Sequence, residues 1–289
     1  MPINPTHLRA FHAVAAHGGF VRAATHIGVS QPTLSEQVRA LERAHGVLLF
    51  ERHGRRTALT PLGERLHAIS RRLFDLEAEA ELCLTDAEQL RAGRLRVAAD
   101  SPAYAMPLLA AVAERFPGVH TTLSTGNAGR VLTDLHAHRA DIAYVANVEP
   151  DPRMVSWPLF HTSLVAVVAP GHPWEQRGQI TAGELAAVRL VTREPGSMTR
   201  QTFQHALAKT QLVLTDVLEV DSREAVLAAA AFGVGVGLVA EDELPTNAQL
   251  TGLRIEGLEL TITEHLVCLA ERRDLTVVRA ACDLALSLA

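Results

Sequence analysis

The 289-residue sequence holds three cysteines, Cys83, Cys268 and Cys282, and no CxxC pair. That spacing argues against a disulfide framework or a structural zinc site and fits a reducing compartment. No run of about 18 uninterrupted apolar residues occurs, so no membrane span or membrane partner is expected. Residues 1–18 show no basic head followed by an apolar stretch, so no export signal is expected and the cytoplasm is the expected location. The marks of a catalyst are missing too. Gly233-Val234-Gly235-Val236-Gly237 has GxGxG spacing and follows a predicted helix rather than opening one, unlike a dinucleotide loop. His136 and His138 stand two apart on a predicted helix and do not face one metal ion together. No GxSxG elbow supports Asp100-Ser101 as a nucleophile. The expectation is no catalytic residue, no metal, no cofactor and no enzymatic activity.

What is present is a core-forming chain. With 48% hydrophobic and 20% charged residues it is not disordered, and its length predicts two or three domains. The net charge of −5 argues weakly against a nucleic-acid partner, but the charge is uneven. Residues 1–60 carry seven arginines against three glutamates, whereas residues 61–93 carry four arginines against seven acids. A basic head on an acidic body predicts a polyanion partner for the head alone.

Within the head, Leu8, Phe11, Val14 and Ala15 repeat at helical spacing until Gly18-Gly19. Phe20, Ala23, Ala24 and Ile27 mark a second helix, and a third begins at Gln31-Pro32 after the turn Gly28-Val29-Ser30, with Leu34, Val38 and Leu41 inward. Two helices joined by a short Gly-containing turn match the helix-turn-helix signature, whose second helix enters the DNA major groove. Gln31, Thr33 and Glu36 then become candidate base readers, since Gln can pair with adenine, Thr offers a hydroxyl and a methyl, and Glu can accept from cytosine. Ser30 and Ser35 are candidates for capping or phosphate contact, and Arg22, Pro32 and Arg39 share that surface. An ordinary solvated helix face carries the same residue types. The apolar run 47–50 predicts a strand, and residues 51–60 complete a β-hairpin, or wing, bent at Gly54. Arg52, Arg55 and Arg56 at its tip suit phosphate or a narrow minor groove.

Thr60-Pro61-Leu62-Gly63-Glu64 supplies an N-cap, a first-turn proline and an acid that favours a helix start. Leu62, Leu66, Ile69, Leu73, Leu76, Ala80, Cys83, Ala87 and Leu90 then keep the 4-3 spacing of a coiled-coil seam. The expectation is a long helix over residues 61–90 that pairs two copies into a homodimer or homotetramer; the alternative is one helix docked on its own domain.

From residue 94 onward, predicted strands and helices alternate. That order predicts parallel sheets with helices on both faces, in two units, the chain crossing between them near residues 161–170 and returning near 262–268. Ligands of such sheets bind at the carboxyl ends of strands, beside helix N-termini. The rule nominates Asp100, Ser101 and Tyr104, then Asn127, then Arg193, Glu194, Ser197 and Thr199, and finally Arg223. Their hydroxyls and amides suit a small anion, with Glu194 or Asp100 available to an amine on the same ligand. Each of these residue types also serves as a helix cap or turn former.

The chain as a whole resembles the LysR-type transcriptional regulators. The resemblance is carried by Leu8-Arg9-Ala10-Phe11-His12-Ala13-Val14-Ala15, by Val29-Ser30-Gln31-Pro32-Thr33-Leu34-Ser35-Glu36-Gln37-Val38-Arg39, by Leu49-Phe50-Glu51-Arg52 and by Leu59-Thr60-Pro61-Leu62-Gly63. It implies an N-terminal all-α winged helix-turn-helix over residues 1–60 and a linker helix over 61–90. It also implies a C-terminal α/β two-lobed effector domain over 91–289, like type 2 periplasmic binding proteins, with lobe I near 91–162 and 266–289 and lobe II near 163–265. Implied partners are double-stranded promoter DNA, a small-molecule effector, further copies of the chain and RNA polymerase, all in a bacterial cytoplasm. Glu36 departs from the arginine often found there in relatives, and the usual Leu-Pro is missing after Gly237. Residues 74–80, 126–127, 165–169, 172–174 and 193–201 are similar to the subgroup associated with aminoethylphosphonate catabolism. That likeness implies a phosphonate near Ser101, Asn127, Ser197 and Thr199 and an ammonium near Asp100 or Glu194. A solute-binding protein without a DNA role is the other class considered, and the basic head disfavours it.

Overall fold

A computed structural model describes residues 2–53, 56–84, 93–245 and 249–289 and divides into two compact units, Met1–Ala87 and Glu88–Ala289. In the first, Asn4 caps α1 (Pro5–Ala16) by accepting the Thr6 N–H at 2.9 Å. The helix buries Leu8, Phe11 and Val14. Helix α2 (Phe20–Ile27) ends at Gly28, whose φ of 71° is a left-handed cap open to glycine. Ser30 caps α3 (Gln31–His45), its hydroxyl accepting the Thr33 N–H at 3.2 Å. Leu34, Val38 and Leu41 of α3 close the same core as Phe11 and Val14.

Residues 47–49 are not a strand. Leu49 is buried and donates its N–H to the Glu42 carboxylate at 2.8 Å, a bond that anchors it to α3 instead of to a neighbouring strand. The hairpin starts one residue later, with β1 (Phe50–His53) antiparallel to β2 (Arg56–Leu59). Its expected bend at Gly54, and Arg55, lie outside the described residues, as do the side chains of Arg52 and Arg56. Helix α4 (Pro61–Leu84) follows, with Thr60 accepting the Gly63 N–H at 3.0 Å and donating to the Leu48 carbonyl at 2.9 Å. Gly63 is required here: a Cβ would sit 2.2 Å from the Leu49 carbonyl oxygen. Of the expected seam, Leu62, Ile69, Leu73 and Leu76 are exposed, while Leu66 packs on the helix-turn-helix core. The seam beyond Ala80 falls outside what is described, including the side chain of Cys83 and residues Ala87 and Leu90.

The second unit runs β3 (Gly93–Ala99), α5 (Pro102–Arg115), β4 (Val119–Thr125), α6 (Ala128–His136), β5 (Ile142–Ala146), β6 (Met154–Val168), β7 (Gln179–Thr181), α7 (Ala182–Ala186), β8 (Arg189–Arg193), α8 (Met198–Ala208), β9 (Asp216–Val220), α9 (Arg223–Ala231), β10 (Val236–Ala240), β11 (Thr251–Glu256), β12 (Thr261–Leu269) and α10 (Thr276–Leu288). The strand order β4-β3-β5-β12-β6-β10-β8-β9 spans two lobes. The expectation of parallel sheets is met only in part. Each lobe keeps a parallel set, β4-β3-β5 and β10-β8-β9, but β12 is antiparallel to β5 and β6, and β10 to β6. The long strand β6 is the reason. Its residues 154–163 pair with β12, and its residues 164–168 pair with β10 and β11. Leu164, Ala166 and Val168 face one core while Val165 and Val167 face another, which explains an apolar run without alternation.

Two buried groups fasten the first lobe. The Asp141 carboxylate accepts from the Arg96 backbone N–H at 2.8 Å, from the Arg96 guanidinium at 2.6 Å and from Arg272 at 2.7 Å. Cys268 and Cys282 are buried free thiols hydrogen-bonded to each other. No helix among the described residues is long and apolar enough to cross a membrane.

Candidate functional site

Two surfaces collect the residues nominated from sequence. On α3, Leu34, Val38 and Leu41 point inward, and the opposite face exposes Gln31, Pro32, Thr33, Glu36 and Arg39 with Ser35 half-buried. Ser30 is committed to the cap, where its hydroxyl also meets the Thr33 hydroxyl at 2.7 Å. The Gln31 amide donates weakly to Ser35 at 3.4 Å. Glu36 is tied to Arg43 on the same helix, and that guanidinium holds its carboxyl below the ordinary carboxylate value. The face therefore presents neutral hydrogen-bonding groups at its N-terminal turn and a guarded charge pair further along. Arg22 is exposed on α2 and donates to the Gly18 carbonyl at 2.9 Å.

The second surface is the cleft between the two lobes of the C-terminal unit. Asp100 leaves β3, Asn127 caps α6, Ser197 stands before α8 and Arg223 opens α9, so four strand–helix junctions converge. Asp100, Tyr104, Asn127, Arg193, Ser197, Thr199 and Arg223 line one small cavity of about 30 Å³. Ser101 is buried beside them with an unpartnered hydroxyl. Glu194 lies in the adjoining outer pocket, and its carboxylate already accepts from Arg193 at 2.8 Å and Asn127 at 3.1 Å. It is thus less available to an amine than the sequence suggested.

The lobes are latched across the cleft. Tyr104 donates to Asp242 at 2.7 Å, Asn127 to Glu194 at 3.1 Å, and Arg223 to the Asp100 carbonyl at 3.2 Å. Arg223 also grips Glu243 through two contacts of 2.7 and 2.6 Å. Glu243 and Glu264 line the cavity and were missed from sequence. Glu264 sits in the middle of β12 between the inward Ile262 and Leu266. A carboxylate in an apolar row of period two was the available signal. Burial first, then the Asp100 and Glu243 carboxylates, push the Glu264 carboxyl far above its ordinary value. Burial likewise raises Asp100, against the Ala146 N–H bond that favours its charge. A larger hollow of about 840 Å³ bordered by Asn147, His205 and Arg254 holds none of the nominated residues. Among the described residues no cluster of metal-ligating side chains occurs. The GxGxG segment is packing: a Cβ on Gly235 would meet the Arg189 carbonyl at 2.7 Å.

Residues 5–64 match the bacterial regulatory helix-turn-helix protein, lysR family, and residues 88–289 match the LysR substrate binding domain. The chain belongs to the LysR family of transcriptional regulators, with a DNA-binding helix-turn-helix unit and an effector-binding unit. It is 30% identical to a RuBisCO operon transcriptional regulator of Allochromatium vinosum over 89% of this chain and 87% of that one. Its fold is similar to that of a full-length OxyR variant from Pseudomonas aeruginosa, with a TM-score of 0.77 at 22% identity over 99% of this chain and 95% of the other. Full-length CbnR complexed with its target DNA matches with a TM-score of 0.68 at 22% identity over 100% and 99%. Such relatives are regulators and not enzymes.

Proposed function

We propose that this regulator binds promoter DNA as a dimer or tetramer and that a small anionic or zwitterionic metabolite in the cleft modulates that binding. The head of residues 1–60 grips the duplex, the helix of residues 61–90 pairs two copies, and residues 91–289 sense the ligand. The observation that supports the DNA reading most is the Ser30-capped helix presenting Gln31, Thr33 and Arg39 outward in the basic head of residues 1–60. Gln31, Thr33 and Glu36 read bases; Arg22, Ser30, Pro32, Ser35, Arg39 and the wing arginines 52, 55 and 56 hold the backbone. Exposed Leu62, Ile69, Leu73 and Leu76 form the pairing seam. In the cleft, Asp100, Ser101, Tyr104, Asn127, Arg193, Glu194, Ser197, Thr199 and Arg223 surround the effector, and a zwitterion such as 2-aminoethylphosphonate satisfies both the hydroxyls and the carboxylates.

Fluorescence anisotropy on the promoter fragment upstream of its own coding region tests the reading. Affinity should fall steeply with salt, and Arg39→Ala should flatten the log–log slope by about 0.9 for each phosphate that is no longer neutralised. Gln31→Ala should relax base preference while sparing that slope. A wild-type protein with no affinity for the fragment at low ionic strength refutes it. For the ligand, a thermal-shift screen of phosphonates, sulfonates and amino acids should show stabilisation that grows with the logarithm of concentration. No response to 2-aminoethylphosphonate at millimolar concentration removes that compound.

A further inference from the structure

We propose that the cleft contains a proton-exchanging ammonium subsite, in which Glu264, backed by Asp100 and Glu243, receives the –NH₃⁺ group of the effector and loses a proton to solvent as it does so. The inference rests on the effector reading above and adds which end of the ligand goes inward and what leaves on binding.

Three observations carry it. First, Glu264 is 2% exposed, lines the cavity, and its Oε1 has no hydrogen-bond partner. A buried polar atom left unpaired costs about 1–3 kcal/mol, so a donor that reaches it is favoured. Second, the charges are unbalanced. Glu264 is faced by Asp100 after β3, by Asp242 and Glu243 after β10, by Arg223 on α9, and by Tyr104 on α5, and it influences Tyr144 on β5. Arg193 stands farther off, beside Asp100. Both arginines are already spent, Arg223 on Glu243 and Arg193 on Glu194. Asp242 holds Tyr104 and Thr162. Asp100 and Glu264 are left without a dedicated cation. Third, the cavity of about 30 Å³ has room for one water-sized group, which an ammonium matches and a phosphonate or carboxylate does not.

The proton balance follows. With burial and neighbouring carboxylates raising it, Glu264 enters the encounter as a neutral acid. The incoming ammonium brings the missing positive charge and stabilises the carboxylate, so the acid's O–H bond breaks, its proton passes to solvent, and a carboxylate–ammonium pair remains. The anionic end of a zwitterion is left in the outer pocket of about 410 Å³, where Arg130 and the Thr125 and Ser222 hydroxyls stand beside Glu194, Asp221 and Glu224.

Isothermal titration of the full-length protein with propylamine, 3-aminopropanesulfonate and propanesulfonate tests this, at pH 6, 7 and 8 and in two buffers of different ionisation heat. Between pH 7 and 8, above the value of about 6 to which burial raises Asp100, the two amines should bind with release of about one proton and gain about tenfold in affinity per pH unit, while propanesulfonate should not bind. Glu264→Gln, with folding checked by thermal melting, should abolish the proton release and the pH slope. If that variant does not fold, the wild-type proton count and slope decide alone. Amine binding without proton release overturns the inference. Propanesulfonate binding in the absence of amine binding overturns it and leaves the effector reading standing. Failure of all three probes, at millimolar concentration and at every pH, overturns the inference and leaves the effector reading to the screen of phosphonates, sulfonates and amino acids.

Discussion

Glu264→Gln should change how stability depends on pH. The wild-type carboxyl is buried and sits at about 10 in the folded chain against an ordinary 4.5. A raised value means that the folded state holds a proton the unfolded state has released. Stability is therefore fully present below 4.5 and declines as pH climbs from there toward the folded value. One proton of difference corresponds to about 1.4 kcal/mol per pH unit, or roughly 3 kcal/mol between pH 5.5 and 7.5. Glutamine has the shape of the neutral acid and no proton to lose. For a unit of this size 1 kcal/mol moves the midpoint by about 2–4 °C, so the variant's melting temperature minus that of wild type should grow by about 5–10 °C across that interval. The assay is differential scanning calorimetry of both full-length proteins over the pH series, following the transition of the C-terminal unit. Parallel Tm–pH curves would mean that Glu264 is ionised in the folded protein, and the electrostatic account of the cleft would fall.

Gly63→Ala should destabilise the N-terminal unit by about 1–3 kcal/mol or more in denaturant titration, because its Cβ meets a backbone oxygen that cannot rotate away. Asp141→Ala removes the buried carboxylate shared by the Arg96 and Arg272 guanidiniums and should cost about 3–5 kcal/mol of stability in the C-terminal unit, read by urea unfolding. Ile69→Asp with Leu73→Asp places charge on the exposed seam; sedimentation velocity should show monomers, and DNA affinity should drop in parallel.

Much of the architecture was legible locally. Ser30 before Gln31-Pro32, Gly28 after Ile27 and Thr60 before Pro61 fixed helix ends because caps and first-turn prolines are chemistry of neighbouring residues. The first half of β6 was not legible. Pro158 lies within it, a residue that cannot donate to a ladder, and the segment gains its strand character from pairing with β12. The cleft divides the same way. Asp100, Asn127, Ser197 and Arg223 follow strand ends and obey a topological rule, so sequence order reveals them. Glu264 lies mid-strand and Glu243 in the turn after β10, and only the tertiary pairing brings them to the cavity that Asp100 also lines.

Strand β6 belongs to both lobes, changing partners between Ser163 and Leu164. A loop hinge swings at almost no enthalpic expense; a ladder does not. A lobe rotation that twisted this strand about that point would strain the ladder bonds on either side, so the continuous strand favours small travel over a wide swing.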